Sequence, residues 1–196
     1  VATQKLIAAG QYEDTLKLAL KKGYQFMTME EFGQETDRKK PVPEKLIVLR
    51  HDIDFDLNLS VCMATIEHKH GIKSTYFIRI HAKYYSPFSV ENYKILMEIM
   101  RLGHEIGLHF DFGFAQLFNE NPEERLLKDK IAFESLLGRN FNSVSVHEPA
   151  RTGTTLNQLR LEKVGLKYNA YSDIFLKQMK YISDSSARWR EGCMCE

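Results

Sequence analysis

From Lys45 onward, short continuous apolar runs alternate with segments whose apolar residues recur every three or four positions. Leu46-Ile47-Val48-Leu49 reads as a strand covered on both faces, and Leu59, Cys62, Met63 and Ile66 then recur at helical spacing up to Gly71. The unit repeats as a strand over 74–80 with a helix over 91–102, and again as a strand over 104–108 with a helix over 122–137. Asn121 ahead of Pro122, Glu123 and Glu124 marks the start of that last helix. It offers a side-chain cap, a ring-fixed φ and negative charge at the positive end of the helix dipole. A fourth round predicts a strand over 142–146 and a helix capped by Thr154 or Thr155 and ending at Val164. Weaker strands are expected over 168–171 and 180–183.

Upstream the pattern differs. Leu16, Leu18, Ala19 and Leu20 among charged residues predict an amphipathic helix over 12–23, stopped by Gly23, with an extended piece over 24–27. Thr28-Met29-Glu30-Glu31 has capping-box spacing and predicts a brief helical turn through Phe32 that Gly33 ends. Residues 34–44, polar and holding Pro41 and Pro43, read as a linker. The expected organisation is therefore a helical and linker segment over 1–44 packing on one strand-and-helix domain over 45–196.

Strand and helix alternating at this regularity predict an α/β fold with parallel strands joined by right-handed crossovers. A complete eight-unit barrel takes ~250 residues. With 196 residues and about six units, the chain is expected to form a distorted or incomplete (β/α) barrel.

Composition narrows the partners. The 27 Lys+Arg and 26 Asp+Glu nearly cancel, so no global field argues for nucleic acid or an acidic membrane surface. No apolar run approaches the ~20 residues of a membrane span, and the amino terminus lacks the charged-then-apolar pattern of a secretory signal. The expectation is a cytoplasmic protein without nucleic acid or membrane span; nothing in the pattern sets an oligomeric state. Of the three cysteines, Cys62 is expected in the core, and Cys193 and Cys195 in an exposed tail.

In parallel α/β folds the loops at the carboxyl ends of the strands carry the reacting groups. Arg50, His51, Asp52 and Asp54 follow the first strand, His81 the second, His109 and Asp111 the third, and His147 and Glu148 the fourth; Asp184 lies near the last. Five of the seven histidines (His51, His81, His104, His109 and His147) fall at or near these positions. Asp52 and Asp54, two apart in an extended segment, send both carboxylates to one side. One can hold a divalent metal while the other serves as base toward water. A polar turn capping the next helix is the competing use, for which Asp56 suffices. Gly103-His-Glu-Ile-Gly-Leu-His109 ends an apolar strand in an imidazole, and Gly107 within it lets another group approach the backbone. Imidazole plus carboxylate is the ligand mix of catalytic zinc and related divalent metals. His81, beside Lys83, Tyr84 and Tyr85, suits either a sugar-binding rim or a plain loop.

At these residues, from Leu46 to Trp189, the chain resembles the polysaccharide deacetylase (NodB-homology) superfamily, carbohydrate esterase family 4 and its relatives. The resemblance implies that Arg50-His-Asp-Ile-Asp54 is the acidic first motif, with Asp52 as catalytic base and Asp54 as metal ligand. It makes Gly103 to His109 the second motif, with His109 as ligand, and His147-Glu-Pro149 the counterpart of the third. The segment Asp184 to Trp189 resembles the part that orients a catalytic histidine and shapes the acetyl pocket. Asp184 is accordingly placed with the catalytic residues, and Trp189 with His81 among those that bind substrate.

The chain also departs from the pattern. Gly113 stands where a second ligand histidine is usual, so Asp111 or His147 replaces it, or the metal is weak or absent; His147 is taken as the third ligand. The final motif, a strand ending in His, has no counterpart before Glu196, as in a truncated chain or one that has lost its general acid. The His-Asp-x-Asp form resembles a divergent branch associated with bacterial surface-polysaccharide gene clusters. What is implied is a divalent-metal enzyme, zinc being expected, that removes an acetyl or other acyl group from an amino sugar of such a polysaccharide or its precursor. The alternatives are a glycan-binding domain that has lost the chemistry, and a hydrolase of another non-peptide C–N bond.

Overall fold

A computed structural model describes residues 2–157 and 159–183, so Asp184, Trp189, Cys193 and Cys195 lie outside the described residues. Helix α1 (Ala2–Lys21) ends before Gly23, whose φ of 85° suits a residue without Cβ, and leads into strand β1 (Gln25–Met27). Helix α2 (Met29–Asp37) opens with the expected capping box between Thr28 and Glu31. It does not stop at Gly33. A Cβ there would collide with the Tyr168 ring, so this glycine makes room for an aromatic side chain instead of ending the helix.

Strand β2 (Leu46–Val48) pairs in parallel with β1. After Leu49 a separate strand, β3 (Arg50–Ile53), begins. Arg50, His51 and Asp52 thus lie within a strand, not beyond one, and the strict alternation of their side chains follows. The chain continues through α3 (Leu57–Lys69), β4 (Thr75–Ile78), α4 (Val90–Arg101), β5 (Glu105–Phe110) and the short α5 (Phe112–Leu117). Then come α6 (Pro122–Leu137), β6 (Ser143–Val146), α7 (Pro149–Thr152), β7 (Tyr168–Asn169) and α8 (Asp173–Leu176). Helix α6 starts as its sequence predicts, with the Asn121 side chain accepting from the backbone N–H groups of Glu123 and Glu124.

Strands β3 to β7 form one parallel sheet in sequential order. The α/β class and the parallel strands agree with expectation. Among the described residues the sheet is open, and no ladder joins it to the β1–β2 pair. Residues 180–183 form no strand. The helix expected from Thr154 or Thr155 shrinks to a 3-10 turn over Leu161–Val164, because Leu156, fully buried, takes a left-handed φ of 64° that an α-helix cannot contain. Cys62 is exposed on α3 instead of joining the core.

Alternation gives the five-stranded sheet two different faces. On the outer face, Tyr76, Ile78, Leu108, Phe110 and Val146 pack in one core with Leu57, Leu96 and Phe133 from the flanking helices. On the inner face, Phe77 and Tyr168 pack with Met29 and Phe32 of α2 and Phe175 of α8. Helix α2 also closes the sheet's amino-terminal edge. The Met29 N–H donates to Thr75 Oγ1 (2.9 Å) and the Glu30 N–H to Glu105 Oε2 (3.0 Å), while burial raises the Glu105 carboxyl above its ordinary range. The opposite, carboxyl edge remains available for a site.

Gly107 is a close-approach position on the inner face. A Cβ there would lie 2.5 Å from the Phe77 ring and 2.8 Å from the Ser143 carbonyl oxygen, and backbone cannot yield as a side-chain tip can. Gly107→Ala is therefore expected to destabilise the fold by about 1–3 kcal/mol, read as a lower denaturant midpoint with an unchanged m-value.

Candidate metal centre

The inner-face alternation carries Asp52 and Asp54 from β3, His109 from β5 and His147 just past β6 to the carboxyl edge of the sheet. Parallel pairing sets His109 opposite Ser145 and Asp52 opposite Phe77, so residues two further along each chain meet above them. The His147 N–H donates to the Phe110 carbonyl (2.9 Å), prolonging the β5–β6 ladder by one bond. Glu148 then turns sharply with a φ of 47° into α7, which leaves His147 at the tip of its strand.

Asp54, His109 and His147 each offer a ligand atom, all within 4.8 Å of one another. Asp54 Oδ1 lies 3.0 Å from His147 Nδ1 and 3.5 Å from His109 Nε2. The two rings stand edge to face at 83°, with centroids 5.3 Å apart. Despite this proximity Asp54 Oδ1 is buried and makes no hydrogen bond. Burial by itself raises the Asp54 carboxyl, but the two imidazoles beside it outweigh burial and hold it well below the usual carboxylate range. A buried acceptor without a donor, flanked by two imidazole nitrogens, fits a divalent cation, and one carboxylate with two imidazoles is a zinc-type ligand set that leaves a position open.

Asp52 stands beside this cluster without joining it. Its Oδ2 accepts from Ser145 Oγ (3.1 Å) and lies 3.5 Å from Arg50 Nη2, while its Oδ1 is buried and has no hydrogen-bond partner. Arg50 is itself held, donating to the Tyr171 and Tyr181 hydroxyls (3.1 and 3.2 Å), with its guanidinium over both rings. One carboxylate oxygen is thus fixed and the other left free, as a base requires.

Of the five histidines expected at the rim, only His109 and His147 converge. His51 sits on the odd positions of β3 and faces outward, where its Nε2 meets Glu67 Oε1 at 2.6 Å beneath Tyr12 of α1. His104 precedes β5 at the opposite edge, with Nδ1 accepting from the Ser74 N–H and Nε2 facing the Ala64 carbonyl. Those bonds fix its neutral Nε2–H form. His81 stacks on Phe114 and pairs with buried Asp129 of α6, outside the Asp54 cluster (Nε2 to Oδ1, 3.0 Å).

Between the two replacements left open for the missing histidine, the geometry favours His147. Asp111 is engaged elsewhere: Oδ2 accepts from Arg79 Nη2 at 2.6 Å and Oδ1 from the Phe114 N–H at the start of α5. Arg79 itself escaped the sequence reading. The signal was present, because Thr75, Phe77 and Arg79 share the inner face of β4 and its extension, but a lone cation past a strand reads as solvated. Among the described residues, no helix is long and apolar enough to cross a membrane.

No protein-family model matches the chain, and no curated protein sequence does so. Among solved structures, the Streptococcus pyogenes deacetylase PplD, determined in complex with acetate, is similar with a TM-score of 0.54 and 16% sequence identity. The match covers 70% of this chain and 61% of PplD, so the chain spans under two thirds of that protein's length. At that identity the likeness concerns architecture, and what it shows is that this chain has a deacetylase-like fold.

Proposed function

We propose that the chain is a metal-dependent deacetylase that hydrolyses an N-acetyl or related acyl group on an amino sugar of a bacterial surface polysaccharide or its precursor. The observation that carries this reading is the meeting of Asp54, His109 and His147 around a buried, unpartnered oxygen, with Asp52, whose Oδ1 also lacks a partner, two residues before Asp54. Asp54, His109 and His147 would hold the ion, and their ligand types suit zinc. When bound, it supplies Lewis acidity toward the acyl oxygen and toward water.

The remaining steps belong to the chain's own residues. Asp52 takes a proton from the attacking water as that oxygen bonds to the acyl carbon and the C=O pair moves onto the acyl oxygen. When that pair returns, the C–N bond breaks, its electrons leave with the nitrogen, and the amine takes the proton held on Asp52. Ser145 and Arg50 keep the Asp52 carboxylate from turning away. His81 and Trp189 are retained as substrate contacts, and Asp184 as an orienting acid.

Zinc-loaded full-length protein is expected to release acetate from N-acetylglucosamine oligomers, to lose that activity to a chelator and to regain it with zinc. Gly113 at the usual ligand position favours one second reading, a glycan-binding domain without chemistry. Amino-sugar binding with no acetate released under any divalent ion would establish that reading.

A further inference from the structure

Arg79 brings to the site a charge that the proposed reaction has not used. Its side chain is 12% exposed, with Nη2 bonded to Asp111 and Nη1 3.6 Å from Asp54 Oδ1, beyond hydrogen-bond range. Nε is buried and has no partner. The backbone beneath is fixed, because the Arg79 N–H donates to the Tyr85 hydroxyl (2.9 Å), whose O–H donates to the Ile53 carbonyl (2.7 Å). Asp111 is fixed as well, by its bond to the Phe114 N–H (3.3 Å).

A guanidinium is a permanently charged, planar array of five donors. Among the described residues one directed hydrogen bond, to Asp111, and one longer ion pair, to Asp54, engage it, although leaving a buried donor such as Nε unfilled is costly. A cation held rigidly by one carboxylate, and kept just short of a second that faces two imidazoles, is arranged to receive an oxygen anion between them. In an acyl hydrolysis, that anion is the acyl oxygen.

We propose that Arg79 is a catalytic residue of this site: its Nη1 edge donates to the acyl oxygen as water adds to the carbonyl carbon, and afterwards to the carboxylate of the product. The inference rests on the deacetylase reading. It assigns Asp111 a positioning role, as the anchor that aims the guanidinium, in place of metal ligation. No additional reactant is needed, because the electron pair placed on the acyl oxygen returns when the C–N bond breaks.

The test uses zinc-loaded wild type, Arg79→Lys, Arg79→Gln and the double variant Arg79→Gln/Asp111→Asn. The double variant avoids a stranded Asp111 charge and keeps an Asn cap for α5. Metal content is expected to match wild type in all of them. Calorimetric affinity for acetate should fall at least ~10-fold in both Gln-containing variants, and kcat should fall by about 10²–10³ with KM little changed. Arg79→Lys, a point charge without the fork, should lie between. A folded Gln-containing variant that binds acetate and turns over like wild type overturns the proposal, as does a wild type without measurable acetate affinity. If wild type binds acetate but cleaves no acetylated amino sugar, the deacetylase reading fails separately. Acetate affinity then decides on Arg79 alone, its loss in the variants supporting the anion site and its persistence removing it.

Discussion

Replacing Asp52 by Asn is expected to lower kcat for acetate release by about 10²–10⁴, with metal content unchanged. The substitution keeps the shape of the side chain, and its amide oxygen can still accept from Ser145 Oγ. It removes the capacity to take a proton at the free Oδ1, the one oxygen of this residue left without a partner. Because Asp52 is outside the group formed by Asp54, His109 and His147, zinc binding should persist. Steady-state kinetics with parallel metal analysis checks both halves. A wild-type kcat in Asp52→Asn, or loss of zinc in it, would remove Asp52 from the role of base.

Asp54→Ala should show the opposite separation: no zinc retained, and no activity above background. Asp54 is the only carboxylate in the ligand group, and its Oδ1 is the atom that both imidazoles face. Without it, two imidazoles remain, too few for a catalytic zinc site. The effect is also visible without turnover. Zinc at about 100 times its dissociation constant should stabilise wild type by ~2.7 kcal/mol, a rise in Tm of roughly 5–10 °C for a chain of this size. Asp54→Ala should melt at the same temperature with and without zinc. A zinc-dependent Tm rise that survives Asp54→Ala would place the ion elsewhere.

The strand–helix alternation was legible because parallel strands buried on both faces must be apolar runs, and because Asn121-Pro122 is a start signal whose chemistry is local. The ends of elements were less legible, since distant packing decides them. Gly33 continues a helix because the Tyr168 ring, 135 positions away in sequence (168 minus 33), occupies the space of its missing side chain. Leu156 abandons a helix to bury itself in the core. Helix α5 was hidden because six residues after a strand, with Gly113 among them, carry no periodicity to read.

At the site, the period of two along β3 placed Asp52 and Asp54 on one face without any structure. The same period, applied to His51, points it outward toward Glu67, a consequence that counting histidines at the rim obscured. Arg79 needed three strands at once, because its significance comes from Asp54 on one side and Asp111 on the other.

Asp54, His109 and His147 are expected to grip one divalent ion, and the decisive measurement is anomalous diffraction at the zinc edge from crystals grown with zinc. The predicted result is one strong peak at about 2.0–2.2 Å from Asp54 Oδ1 and from a ring nitrogen of each histidine, with the Asp52 carboxylate near but unbound. A peak only at other residues, or none here with the three side chains pointing apart, would contradict it.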